Sequence, residues 1–577
     1  MSAPGPFNAR GARSEPWVMA ALAVGVGVIA AAVAVLLRGG VHELFELLSE
    51  VRGAWWSPVL PALGALLGVW LVRLVFREPP GDGVPAVLKA VSRRGGAMRV
   101  RSIFSRMFGS MVNVASGGSA GLEGPTVFSA AAVGSVFGSA ARVGEQQRVI
   151  LLACGVAGGI GAIFNAPLTG MMFALEVVLA DWTLGAVLPI AISATVATEI
   201  GRQVFGAAGA FAQESAPGWG SQDLAACALL GAAAGLLSVI LVGMIVKVES
   251  ATRRLRAVRG FGWTGATAAL GGLLVGLVGI AQPRAIGEGY ETVNLAIGGG
   301  AGDGLLALAL LGAAKTFTTS LTVGSGAPGG IFAPSLVLGA TLGALFGTAL
   351  HEFFPAAEFA PPGFFALAAM AGFVSGIMHA PFTGILLALE TTEGWSGTLP
   401  LILVAVLSTL VSRSLMRRSY YTWELLESGE LMRPGTDRRI LADLRASELL
   451  DPDPVLVPSG STLDDLARRL PATKRNHFAV VDAEGRLLGM LDLTQLRGVI
   501  FDDFVRKVTP VDTVMDATTP RIGAGDSLLR AMEVFEQRGA WVLPVVDGGG
   551  RFLGTLSKST LFDRYRNELI LQTAGRE

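Results

Sequence analysis

The chain has 577 residues, 51% of them hydrophobic and 16% charged, with a mean hydropathy of +0.57, a balance that excludes an ordinary soluble globular protein and predicts a mainly α, polytopic membrane protein. Its 45 basic and 45 acidic residues cancel, so nothing in the charge calls for nucleic acid. Cys154 and Cys227 each sit in an apolar run without the spacing of a metal or redox motif and read as packing residues; no metal site is expected.

The N-terminal tail, residues 1–16, carries Arg10 and Arg13 ahead of the uncharged run Trp17–Leu37, which is too long for a signal-peptide core and reads as a first membrane span. Arg413, Arg417 and Arg418 follow the last apolar run, so the positive-inside rule predicts cytoplasmic termini and, with them, an even number of crossings; the plasma (inner) membrane is the expected location. Val59–Val75 is a second span, introduced by Trp55 and Trp56 at the position of an interfacial anchor. Then the pattern breaks. Pro79–Pro85 is a turn cluster, and Val84–Val91 is too short to cross a bilayer. Short helices interrupted by glycine and proline at membrane depth mark a transport site, because irregular backbone is tolerated there only beside a cavity or within protein.

Ser116–Pro125 is a glycine-rich loop in which Pro125 suits the first turn of a helix and Glu123 brings a carboxylate into apolar surroundings. Glu123 can simply stabilise its own helix N-terminus, or it can act as an anion at a site built for anions. The same grammar returns at Gly326–Pro334, where Gly330 and Pro334 stand 209 positions after Gly121 and Pro125. Gly134, Phe137, Gly138 and Ala140 recur at that offset as Gly343, Phe346, Gly347 and Ala349. Further on, Ala166–Gly170 and Ala174-Leu175-Glu176 recur 214 positions later as Ala380–Gly384 and Ala388-Leu389-Glu390. Two homologous halves follow, about 58–206 and 224–413. Glu176 and Glu390 read as carboxylates that satisfy helix ends or pair inside the bundle, and His379, in the place of Asn165, as a polar cap.

After Arg418 the chain turns charged and alternating. A linker over 423–440 precedes two small α/β modules, 441–505 and 506–577, in which Val480–Gly489 recurs as Val545–Gly554 with a shift of 65. Each reads as strand, Asp/Gly turn, strand and short helix, preceded by a helix such as Thr462–Arg469 or Ser527–Arg538.

Gly121-Leu122-Glu123-Gly124-Pro125 and Gly329-Gly330-Ile331-Phe332-Ala333-Pro334 resemble two signature loops of the CLC family of chloride channels and proton-coupled chloride antiporters, and Gly81-Asp82-Gly83-Val84-Pro85 resembles a third, usually Gly-Ser-Gly-Ile-Pro. The resemblance runs from about Trp17 to Tyr421, and the two terminal modules are similar to tandem CBS domains. It implies a CLC fold of two inverted repeats with broken, tilted helices, and a homodimer with one pathway in each subunit. It also implies transport of chloride, other small anions and protons rather than catalysis. By resemblance the amides of Ile331 and Phe332 and those around Leu122 and Gly124, with Gly81, Asp82 and Gly83 of the third loop, coordinate the anion. Glu123 gates it, and Tyr421, or its neighbour Tyr420, supplies a hydroxyl.

Three positions depart from the family pattern. Leu122 replaces a frequent arginine. Val177 stands where many antiporters carry a proton-delivering glutamate, which favours a passive chloride permease over the alternative, proton-coupled exchange. Asp82 replaces the serine of the central site: it can cap the helix entered at Pro85, pair with Arg93 or Arg94, or face the pathway as a second, proton-sensitive gate. The CBS-like modules carry Asp492 and Ser557 where nucleotide-binding relatives place a Ser/Thr, without the ribose-binding aspartate three residues on. A structural dimerisation module therefore competes with an adenine-nucleotide sensor, and no cofactor is expected. A divalent-cation transporter using Asp82 and Glu123 as oxygen ligands remains an alternative of another class.

Overall fold

The computed structural model describes residues 9–52, 54–79, 82–93, 95–180, 182–206, 211, 218–259, 263–298, 304–392, 397–427, 441, 444–451, 454–473, 475–538 and 540–565. The chain forms two compact units, Met1–Met432 and Arg433–Glu577. Gly81, Arg94 and most of the linker predicted over 423–440 lie outside the described residues, as does the side chain of Arg93.

The first unit is helical. Its first half contains α1 (Ala9–Leu47), α2 (Leu60–Trp70), α3 (Gly83–Arg93), α4 (Ser102–Ala115), α5 (Glu123–Ala140), α6 (Glu145–Phe164), α7 (Pro167–Phe173) and α8 (Leu184–Phe205). The second contains α9 (Ser221–Arg259), α10 (Trp263–Ala281), α11 (Tyr290–Ile297), α12 (Leu305–Gly324), α13 (Phe332–Phe353), α14 (Pro362–Met378), α15 (Pro381–Thr392) and α16 (Thr398–Leu415), after which α17 (Tyr420–Glu427) ends the unit. Nine of the described helical stretches are long and apolar enough to cross a membrane, while Gly83–Ser92, Pro167–Leu179 and Pro362–Met378 are shorter apolar pieces. At about 1.5 Å per residue a helix of 39 residues, the length of both α1 and α9, is roughly 58 Å long and outruns the ~30 Å hydrocarbon core.

The packing repeats as the sequence does. α5 lies on α6 as α13 lies on α14, and α6 on α8 as α14 on α16. The sequence reading opens the first half near Pro58, but α1 packs on α6 and α8 as α9 packs on α14 and α16, so in the structure the first half opens one helix earlier, with α1. The crossings are close because glycines face backbone: a Cβ on Gly134 would stand 1.9 Å from the carbonyl oxygen of Leu151, and one on Gly343, its counterpart, 2.0 Å from that of Phe365. Gly134 and Gly138, like Gly343 and Gly347, are four apart on one helix face, the small-residue spacing by which helices approach inside membranes. Each crossing helix then ends in the left-handed conformation, at Asn165 after α6 and His379 after α14.

The second unit holds two three-stranded sheets. β1 (Leu456–Pro458) runs parallel to β2 (His477–Val481), which pairs antiparallel with β3 (Leu487–Asp492); β4 (Ile522–Gly523), β5 (Val542–Val546) and β6 (Phe552–Ser557) repeat the order. His477 faces Asp492 as Val542 faces Ser557, and each hairpin has a bulge at its last pair of valines, Val480/Val481 and Val545/Val546. α18 (Leu463–Arg469) and α21 (Leu528–Arg538) are the helices between the strands, while α19 (Leu493–Ile500) and α20 (Asp503–Val508) close the first module. The hairpin turns join the two modules: Leu487 N–H donates to the carbonyl of Gly550 (3.1 Å) and Phe552 N–H to that of Gly485 (3.0 Å).

Candidate functional site

The two signature loops meet. Gly121 N–H donates to the carbonyl of Gly330 (2.7 Å) and Gly330 N–H to that of Gly121 (2.9 Å), a two-residue antiparallel bridge between chain positions 209 apart. Asn113 Nδ2 donates to the carbonyl of Pro328 (2.8 Å), and Ser119 N–H to Thr322 Oγ1 (3.1 Å), so each loop is fastened to the other half. The bridge brings the starts of α5 and α13 together, each with Leu122 or Ile331 as its N-cap, both buried. The start of α3 closes on them: a Cβ on Gly83 would lie 2.3 Å from the carbonyl oxygen of Gly124. Three helix N-termini therefore converge, and the positive ends of their dipoles favour negative charge there.

Glu123 lies where these helix starts meet. Its side chain is 1% exposed; Oε2 accepts from the backbone N–H of Ala333 in the first turn of α13 (3.3 Å), and Oε1 accepts from the hydroxyl of Tyr290. Ile331, Phe332 and Tyr421 are buried in the same core, where the Phe173 ring stands 6.1 Å from Phe332 and 6.5 Å, edge-on, from Tyr421. Tyr421 is 1% exposed and lies within electrostatic reach of both Asp82 and Glu123, whereas Tyr420 is half-buried beside it. Asp82 caps α3 through Oδ1, which accepts from Val84 N–H (3.0 Å). Its Oδ2 is buried without a hydrogen-bond partner among the described residues. Arg106 on α4 faces Asp82 electrostatically and lies over the Phe128 ring at 4.9 Å.

Glu176 and Glu390 are engaged elsewhere, each at the helix start of the opposite half. Glu390 accepts from Leu168 N–H (2.9 Å), Thr169 N–H (2.7 Å) and the Thr169 hydroxyl (2.7 Å); Glu176 accepts from Phe382 N–H (3.3 Å), Thr383 N–H (2.8 Å) and the Thr383 hydroxyl (2.8 Å). Val177 follows Glu176 in the π-helical segment Ala174–Leu179 and packs against the core.

Sequence reasoning missed Tyr290, Glu288 and Lys315. Lys315, 0% exposed, donates from Nζ to the carbonyl of Gly287 (2.8 Å), and Glu288 has a buried Oε1 without a partner among the described residues. A signal was there to find: Gly287-Glu288-Gly289 repeats Gly81-Asp82-Gly83, 206 positions on, and α11 is the structural counterpart of α3. In the second unit Asp492 caps α19, with Oδ1 accepting from Thr494 N–H (2.8 Å), and the Ser557 hydroxyl accepts from Thr560 N–H (3.0 Å).

The comparisons with known proteins agree with this geometry. A family model described as "Voltage gated chloride channel" matches residues 63–413, and a CBS domain model matches 446–502 and 511–567. A protein of Ralstonia nicotianae described as ClcB-like is 33% identical over 382 residues, 64% of this chain and 85% of that protein. The H(+)/Cl(-) exchange transporter ClcA of Vibrio cholerae is 33% identical over 432 residues, 70% of this chain and 89% of its own. Among solved structures, a slow cyanobacterial Cl-/H+ antiporter superposes with a TM-score of 0.64 at 23% identity, covering 71% of this chain and 98% of that one. A eukaryotic CLC transporter superposes with the same TM-score at 20% identity, covering 94% and 97%. Two helical halves that repeat one packing pattern and meet at paired signature loops, with a family match across them and a tandem CBS module following in the sequence, place the chain in the CLC family of chloride transporters.

Proposed function

We propose that this protein is a chloride-conducting CLC permease in which the Glu123 carboxylate is the outer gate. The observation that carries the reading is the position of that carboxylate at the head of α13, where the N–H of Ala333 donates to it. Chloride and a carboxylate compete for the same amides, and two anions do not share a low-dielectric pocket cheaply, so chloride arrival or protonation releases the side chain. Amides at helix ends attract an anion without the fixed cation that would trap it. The amides around Leu122, Gly124, Ile331 and Phe332 would take the ion, with the Tyr421 hydroxyl and the Gly81-Asp82-Gly83 loop on its inner side. No metal or organic cofactor enters this scheme. By resemblance the protein works as a homodimer with one pathway per subunit and cytoplasmic termini in the plasma membrane. The CBS pair serves assembly, since Asp492 and Ser557 are both engaged at helix starts.

Proton-coupled exchange is the second reading, favoured by the similarity to exchange transporters and by the buried Oδ2 of Asp82, which has no partner among the described residues. Passive conduction is favoured by Val177, which carries no proton, and by Glu176, whose oxygens are occupied at Phe382 and Thr383. Reversal potentials of the reconstituted protein in a chloride gradient, with and without a pH gradient, separate them: passive conduction expects the potential to follow chloride alone. Glu123→Gln is expected to leave chloride flux that no longer varies with pH, and a pH response intact in that variant would remove Glu123 as the gate.

A further inference from the structure

We propose that Tyr290 is the latch of the outer gate: its phenol and the Ala333 amide hold the two oxygens of the Glu123 carboxylate, and the strength of that hold sets how readily chloride or a proton releases it. The inference rests on Glu123 being the gate and adds the group that tunes it. Tyr290 opens α11, and the chain before it is fixed at three points. Thr318 Oγ1 donates to the carbonyl of Ala285 (2.8 Å), Lys315 Nζ to that of Gly287 (2.8 Å), and Gly287 N–H to that of Gly117 in the glycine-rich loop ahead of α5 (3.2 Å). Gly289 has φ +88, and a Cβ there would meet Val337 on α13 at 2.8 Å, so glycine lets the chain pass α13 and turn Tyr290 back toward Glu123. The phenol ring is walled by Phe211 (5.8 Å) and, edge-on, by Phe164 (6.5 Å). Its hydroxyl is thus aimed by packing before it bonds.

The chemistry gives the bond a sign. An ionised carboxylate only accepts, a phenol donates, and a hydrogen bond to a charged acceptor is roughly twice as strong as one between neutral groups. Tyr290 therefore holds the ionised, seated form of Glu123 more firmly than the protonated form. The charged and titratable groups around Glu123 do not replace it. Asp82 before α3 and Glu288 before α11 are acidic groups that can only repel its charge when ionised, and Tyr421 on α17 makes no hydrogen bond to it among the described residues. Arg106 faces Asp82, and the basic side chains of Lys315 and Arg38 face Glu288. Among the described residues, Tyr290 supplies the side-chain donor to Glu123.

The test uses the full chain reconstituted in liposomes, comparing the wild type, Tyr290→Phe, Glu123→Ala and the double variant. Tyr290→Phe is expected to raise chloride affinity about tenfold by calorimetry at a pH where the gate is ionised. It should also move the midpoint of acid-activated flux about one unit toward alkaline pH, the shift equivalent to a tenfold change. Both effects should vanish in the Glu123→Ala background. Installing 3-fluorotyrosine at 290, which keeps the shape and strengthens the donor, is expected to move the midpoint toward acid, and this holds the proposal open to test should Tyr290→Phe not fold. Unchanged affinity and midpoint in folded Tyr290→Phe, or the same changes without Glu123, overturn the latch while leaving the gate. A pH response that survives in Glu123→Ala overturns the gate and the latch with it.

Discussion

Asp82 is a helix cap, the first of the readings open at its position, and its role as a second gate stands as a proposal. Oδ1, the oxygen nearer Gly124, caps α3 at Val84, as a short acidic residue before a helix does, while Oδ2 is buried without a partner among the described residues. A side chain that served only as a cap would leave its second oxygen to water or a cation. Asp82→Ser keeps the cap, since serine and aspartate cap comparably, and exchanges an acceptor for a donor at the chloride path. The expected outcome is tighter chloride binding and a flatter response to cytoplasmic pH at unchanged thermal stability; equal affinity and an equal pH response would leave Asp82 as a cap alone. Glu123 was legible in the sequence because glycine and proline announce a helix start in apolar surroundings. Tyr290 was not, because nothing local to Gly289-Tyr290 tells that a residue 167 positions away points at it. Pairing of Asp82 with Arg93 or Arg94 falls on residues outside the description, whereas Arg106, which does face Asp82, lies in a helix whose pattern gave no cue.

At the scale of elements, Glu176 and Glu390 cap each other's repeat. Each satisfies two helix-start amides and a threonine hydroxyl across the seam, inside the helical unit where water does not replace them easily. Glu390→Ala and Glu176→Ala are each expected to cost about 1–3 kcal/mol, the penalty for stranding a buried donor, and to cost alike because the geometry is alike. Denaturation in detergent measures this, and a neutral Glu390→Ala would show that the seam is held by packing. The sequence offsets revealed the repeat because they are nearly constant. Their step from 209 to 214 has a physical origin: α13 is a turn longer than α5 and its following loop is longer, while α14 is shorter than α6. That the halves cap one another was not legible, since an offset gives equivalence and not contact.

At the scale of the whole molecule, the soluble unit responds to acid through its own carboxylates. Asp464 is held below the ordinary aspartate range first by its hydrogen bond from Arg506 (2.7 Å) and then by Arg468 (2.7 Å). Asp512 is lowered by the N–H of Gly460 (2.7 Å) and the hydroxyl of Ser459 (2.8 Å). A carboxyl group lowered on folding adds stability above its unfolded value, near 3.9, and loses it as pH falls through the folded value. Unfolding of this unit, followed by hydrogen exchange, should therefore become easier below about pH 4. Asp464→Asn should weaken the unit at neutral pH and flatten its acid dependence; an unaltered acid profile would assign the sensitivity to other groups. The doubled hairpin was legible at this scale from its 65-residue shift, down to the matching glycines Gly485 and Gly550 at φ +79 and +80.

The bridge between Gly121 and Gly330 also places the two sides of the site far apart in time. A ribosome adding ~5–20 residues per second needs roughly 10–40 s to pass from one glycine to the other. Throughout that interval α5 has its head, Glu123 included, without the strand-like partner and the α13 amide that later receive it. Glu176 likewise awaits Thr383. The nascent first half thus carries unmatched carboxylates and open amides into the bilayer, the kind of surface that insertion machinery must shelter. Maturation of this protein should accordingly be governed less by the insertion of its first helices than by the late arrival of α13 and α15.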